Sequence, residues 1–118
     1  MRGFVFGCLF CGSSVVFGAI LTHALKASLM DTQIATLETA AKYLFYVGVP
    51  LLMLQLTQKE WAWPTSIYNS FILSGLLFSG SLMLLALSKQ PIFGWITPLG
   101  GILMIGSWGY LLWLGYNR

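Results

Sequence analysis

Charge is scarce in this chain of 118 residues, which carries three acids, six Lys or Arg and one His, with charged residues at 8% of the whole. A soluble domain this small has a large surface to cover, and 58% hydrophobic residues leave too little polar material to cover it. Lipid is the solvent that fits. The basic residues stand singly, so the net charge of +3 builds no stripe that would follow a phosphate backbone, and nucleic acid is not an expected partner. Cysteine is limited to Cys8 and Cys11 and histidine to His23. That supply completes no metal-ligand set, and no cofactor motif accompanies it, so no metal and no cofactor are expected. A bridge between Cys8 and Cys11 would distort adjacent turns of one helix, so both read as buried thiols.

What the chain has in plenty is long apolar runs. Four spans are expected, at residues 3–22, 40–57, 65–88 and 96–116, each long enough at about 1.5 Å per residue to cross, or with flanking turns nearly cross, a hydrocarbon core of roughly 30 Å. Arg2 ahead of the first run, with Ala24 and Ala27 after it, imitates a secretory signal, but three further apolar runs argue against cleavage to a soluble product. The expected fold is all-α: a single membrane domain, 1–118, of four helices in an antiparallel bundle, with an interfacial amphipathic connector between the first two.

That connector, His23 to Lys42, holds half of the acidic, basic and histidine side chains: His23, Lys26, Asp31, Glu38 and Lys42. Asp31 is placed to cap a helix starting near Thr32, and Ile34, Leu37, Ala41 and Leu44 repeat at helical spacing. Glu38 and Lys42 stand four apart with the acid first, the favourable order for a helical ion pair at a membrane edge. Tyr43 and Tyr46 suit an interfacial position. Further on, Pro50 predicts a bend that Gly48 would ease.

Small residues mark helix contacts. Gly3, Gly7, Cys11, Ser14 and Gly18 share one face of the first span, and Ser66, Ser70 and Ser74 form a stripe on the third, continued by Ser79 and Gly80. Gln58-Lys59-Glu60-Trp61-Ala62-Trp63-Pro64 reads as a boundary turn with indole anchors. Ser88-Lys89-Gln90-Pro91 reads as a break before the last span. That span is expected to open at Thr97 as its cap, with Pro98 early and Gly100 and Gly101 allowing close approach. Lys and Arg divide three against three between the faces, Arg2, Lys59 and Arg118 opposite Lys26, Lys42 and Lys89, so charge fixes no orientation.

Four short elements in order, GAILTHALK at 18–26, ETAAKY at 38–43, FSGSL at 78–82 and ITPLGG at 96–101, resemble the signatures of the small membrane family called domain of unknown function 423, which includes transmembrane protein 256-like members. The resemblance extends over nearly the whole chain and implies a four-span integral membrane protein, an inner-membrane one in bacteria, with no established activity. The matching positions are His23, Glu38, Tyr43, Ser79, Gly80, Thr97, Pro98, Gly100 and Gly101. Where such sequences often read YQxxHAL after the tyrosine, this chain reads Tyr43-Leu44-Phe45-Tyr46-Val47-Gly48-Val49. The missing second histidine argues against any mechanism built on paired histidines.

For function, the residues favour a non-enzymatic bundle that binds lipid, a membrane-protein partner or a second copy of itself. The alternative is a small dimeric carrier or channel using a polar cluster at one membrane face, since the first span lacks the buried carboxylate that small multidrug exporters use. An enzyme would rest on His23 as acid or base, with no partner in view. The sharpest expectation is spatial: antiparallel connectivity brings His23, Glu38, Lys42, Tyr43 and the Thr97 to Gly101 turn to one face.

Overall fold

The apolar runs become four long helices, the second of which also takes in the polar residues from Asp31 to Lys42. The computed structural model describes residues 2–21, 30–88 and 91–117. Its helices in chain order are α1 (Arg2–Ile20), α2 (Asp31–Leu56), the four-residue α3 (Gln58–Trp61), α4 (Thr65–Ser88) and α5 (Ile92–Tyr116), with no strand among the described residues. The four long helices have 19, 26, 24 and 25 residues, and each is long and apolar enough to cross a membrane. At 1.5 Å per residue they run from about 28 to about 39 Å. The protein is an integral membrane protein of four antiparallel spans.

The start of α2 differs in its chemistry from the sequence expectation. Met30 occupies the cap position, and its N–H donates to the Gln33 side-chain oxygen at 3.0 Å. Asp31 is therefore the first helical residue and not the cap; its carboxylate instead adds negative charge to the first turn, where the helix dipole favours it. From there the predicted apolar face is buried as spaced: Ile34, Leu37, Ala41 and Leu44. Pro50 lies inside α2, where it cannot donate the helical hydrogen bond to the Tyr46 carbonyl.

Four seams build the bundle as a row, with α1 on α2, α2 on α4 and α4 on α5, and a slighter contact of α1 with α4. The first seam is glycine on glycine. A Cβ at Gly7 would lie 2.7 Å from Leu52 and 3.0 Å from the Gly48 carbonyl, and one at Gly48 would lie 2.7 Å from Cys11 Sγ. Gly48 thus serves the approach of α1, a role its neighbourhood to Pro50 conceals. At Gly3 the closest neighbours are the Tyr68 ring and the Leu51 carbonyl, at 2.5 and 2.9 Å.

The α2–α4 seam combines a small residue with two donors. Gly75 admits Val47 and Phe10, whose atoms would stand 2.7 and 2.9 Å from a Cβ there. Ser79 Oγ donates to the Ala40 carbonyl at 2.9 Å, and Gln33 Nε2 donates to the Ala86 carbonyl at 2.8 Å. Between α4 and α5 two members of the serine stripe find partners, Ser66 bonding Tyr110 at 2.6 Å and Ser70 bonding Ser107, and outside the stripe Ser81 bonds Thr97 at 2.6 Å. Phe10, Val47, Leu51, Phe71 and Met104 fill the space between.

Two glycines and one cysteine are placed otherwise than the sequence led us to expect. No described atom comes within 4 Å of where a Cβ would sit at Gly18 or Gly80, so among the described residues neither position demands a glycine for close helix approach. Cys8 is exposed on the outer side of α1, while Cys11 is half-buried against α2. The reason is the row: among the described residues α1 packs on α2 and, more slightly, on α4, and its small residues extend beyond the strip that these helices cover.

Candidate functional site

At the face where α2 begins, the structure places four of the five residues expected to cluster; His23 lies outside the described residues. Glu38 and Lys42 are exposed on α2, and no ion pair joins them among the described residues. Measured up from Leu56, roughly 30 Å of hydrocarbon ends near Leu37, so Glu38 sits at the border and Lys42 about one turn below it, within reach of water by snorkelling.

Tyr43 is half-buried, its ring edge-on to Tyr46 at 5.0 Å and packed against Phe78 at 4.7 Å. Phe78 in turn is the residue that α5 presses on: a Cβ at Gly100 would be 2.5 Å from the Phe78 backbone nitrogen, and one at Gly101 would be 3.4 Å from its ring. Phe78 therefore links Tyr43 on α2 to the two glycines on α5. Thr97 is tied separately, donating to the Phe93 carbonyl at 3.0 Å as well as meeting Ser81.

Thr97 is not a helix cap, and residues 97–101 are not a turn. The helix starts five residues earlier, because Ile92 to Trp95 fold into the first turn of α5 behind Pro91 at the cap position. Pro98 accordingly sits inside the helix, one turn beyond Gly94, whose carbonyl loses its donor. With Thr97 inside the helix, this segment presents no free amide groups for an anion. Tyr43, Gly100 and Gly101 are brought together through Phe78, whereas no hydrogen bond or ion pair connects Glu38 or Lys42 to Thr97 among the described residues.

The opposite face carries a second polar constellation. Tyr68, buried in the first turn of α4, donates its hydroxyl to Gln58 Oε1 at 2.7 Å; Gln58 Nε2 donates to the Trp63 carbonyl at 3.1 Å; Trp63 Nε1 donates to Thr57 Oγ1 at 2.8 Å. Trp63 is buried and stacks on Trp61 with ring centroids 5.0 Å apart. Ala62 makes this turn possible by adopting φ 49, ψ 54 at the end of α3, in the left-handed region. Beside the network opens a cleft of about 240 Å³ lined by Arg2, Gln55, Gln58, Trp63, Thr65 and Tyr68. The readable signal for it was polarity out of place: Gln55 ends an apolar run, and Gln58 follows it at the i+3 spacing of one helical face.

Among the described residues, no group of three His, Cys, Asp or Glu side chains comes together in a way that would hold a metal ion. Every buried polar side-chain atom described has a hydrogen-bond partner. The hydroxyls of the serine stripe are thus engaged within the bundle. Ser74 donates to the Phe71 carbonyl and Ser81 to that of Phe78, both at 2.9 Å, in addition to the interhelical bonds.

Comparison with known proteins agrees with this architecture. The profile of the family described as protein of unknown function DUF423 matches residues 17–101. The UPF0382 membrane protein SH2409 of Staphylococcus haemolyticus is 33% identical over 109 residues, which is 92% of this chain and 89% of the relative. A UPF0382 membrane protein of Staphylococcus epidermidis is 34% identical over 105 residues, covering 88% and 86%. The UPF0382 inner membrane protein YgdD of Escherichia coli is 27% identical over 116 residues, covering 95% and 81%. No solved structure matches the chain significantly. With the profile covering most of its length and relatives above 30% identity aligned nearly end to end, the chain belongs to the DUF423 family of membrane proteins.

Proposed function

We propose that this protein is a non-enzymatic binding bundle of the membrane, whose outer helices receive a membrane-protein partner, a second copy of the chain, or lipid. One contrast carries the reading. Within their most apolar 18-residue windows, half of α2 is buried in the chain itself but only 17% of α1 and of α5 is. The two outer helices use a narrow strip to hold the fold and offer the rest outward, including Leu9, Val15 and Val16 on α1 and Ile102, Ile105 and Leu112 on α5.

The spent interior supports the same reading. A carrier would draw on the serine stripe as a polar path, and those hydroxyls are committed to neighbouring helices and carbonyls. Photo-crosslinkers at Val15 and Ile105 in native membranes test the proposal. The expected product is a discrete adduct with one protein, with a second copy or with a lipid species. A chain that yields no reproducible adduct from either position and retains no lipid on gentle release would overturn it.

A further inference from the structure

We infer that the cleft between the start of α1, the end of α2 and the start of α4 binds a phosphate-bearing anion, as carried by an anionic phospholipid headgroup or by free phosphate. This deepens the lipid-binding part of the function proposed above and rests on it. Three independent features converge on the cleft. The first is a rigid wall. Tyr68 is fixed by Gln58, Gln58 by the Trp63 carbonyl, and Gly3 brings the α1 backbone so close that a Cβ would stand 2.5 Å from the Tyr68 ring. The recess is therefore set by the packing of α1 against α4 and by the hydrogen bonds that hold the α3 turn to Tyr68.

The second feature is a surplus of donors. Of the lining residues, Gln58, Tyr68 and Trp63 have their polar groups engaged, whereas the Arg2 guanidinium, the Gln55 amide and the Thr65 hydroxyl have no hydrogen bond or ion pair among the described residues. No Asp or Glu lines the cleft. Arg2 is the one formal charge there, and guanidinium with amide and hydroxyl donors is the set that phosphate oxygens accept from best. The helices add to this. Both α1 and α4 begin at the cleft, so the positive ends of two long helix dipoles point the same way as Arg2.

The third feature is depth. The cleft opens at the level of Trp61 and Trp63, the belt where headgroups lie. Its volume of about 240 Å³ is below the roughly 300–1,000 Å³ of sites that enclose a whole small molecule. It suits one headgroup whose acyl chains run down the bundle outside.

The test uses the full chain purified in mild detergent, delipidated, and offered phosphatidylglycerol, phosphatidylcholine or inorganic phosphate, with binding read by native mass spectrometry. The expected result is preferential retention of phosphatidylglycerol over phosphatidylcholine, reduced about fivefold by Arg2→Gln and reduced also by Gln55→Leu. Lys59→Gln, which removes a charge from the same face outside the cleft, is expected to leave the preference intact. Displacement by inorganic phosphate identifies free phosphate as the source, and persistence in its presence identifies the lipid. Melting curves for each variant separate lost binding from lost fold. A wild-type preference that ignores both Arg2 and Gln55, or that Lys59→Gln abolishes equally, overturns the cleft and leaves the binding bundle standing. A wild-type chain that retains neither lipid nor a partner overturns both.

Discussion

Replacing Gly100 with alanine asks the most of this bundle. A Cβ at that position would lie 2.5 Å from the Phe78 nitrogen, 2.7 Å from its Cα and 3.0 Å from the Leu77 carbonyl carbon. All three are backbone atoms of α4, so no side-chain rotation makes room, and the helices must part. Ordinary contact begins at 3.4 Å, so the shortfall is about 0.9 Å against a steep repulsive wall. Parting α4 from α5 by that amount stretches the Ser81–Thr97 bond from 2.6 Å and strains the Ser70–Ser107 bond on the other side of the contact. Interhelical hydrogen bonds in membranes contribute about 0.6 kcal/mol on average, and overpacking a well-fitted core costs about 1–3 kcal/mol. The expected loss is therefore about 2–3 kcal/mol. Gly80→Ala is the control, since the open space beside Gly80 and the better helix propensity of alanine predict no loss, or a gain of a few tenths of a kcal/mol. Equilibrium unfolding in mixed micelles of mild detergent and dodecyl sulfate compares the two. Equal stability of the Gly100→Ala and Gly80→Ala variants would refute the close α4–α5 contact.

Three further outcomes follow from other contacts. Ser79→Ala removes the donor to the Ala40 carbonyl and is expected to destabilise by about 0.6–1.7 kcal/mol in the same assay; no change would mean that the bond does not form in lipid. Ala62→Gly relieves the left-handed backbone at φ 49, worth about 1 kcal/mol less the extra entropy of unfolded glycine, so the variant should be slightly more stable than the parent. Glu38→Gln, at an exposed position without an ion pair among the described residues, should move stability by less than about 0.5 kcal/mol, and a larger loss would show that the carboxylate is held by a partner.

The number and direction of the helices were legible because a bilayer admits few alternatives: apolar runs of span length must be helical, and short polar turns make neighbours antiparallel. The buried set at Ile34, Leu37, Ala41 and Leu44 followed from spacing alone. Which small residue meets which helix did not. Gly48 and Gly75 serve close approaches, whereas a Cβ at Gly18 or Gly80 would meet no described atom within 4 Å, because contact depends on the azimuth of each helix in the row and periodicity along one helix leaves that angle free. Thr97 misled for a local reason. Followed by proline and two glycines it has the composition of a helix start, yet Ile92 to Trp95 had enough apolar character to begin the helix a turn earlier and draw Thr97 inside. The cleft at the other face was hidden because its lining comes from three separate stretches. Only the two glutamines hinted at it.

The row of four helices bears on how the protein is made. The three main seams join neighbours in sequence, so α1 with α2 and α4 with α5 form two hairpins whose internal contacts need nothing from the other half. The middle seam, closed by Gln33 on the Ala86 carbonyl and by Ser79 on that of Ala40, waits for both halves, as do the slighter contact of α1 with α4 and the Tyr68–Gln58 bond. Biogenesis then reduces to docking two preformed hairpins side by side in the bilayer. Halves severed in the Trp63–Pro64 turn and synthesised together are expected to find each other through that seam.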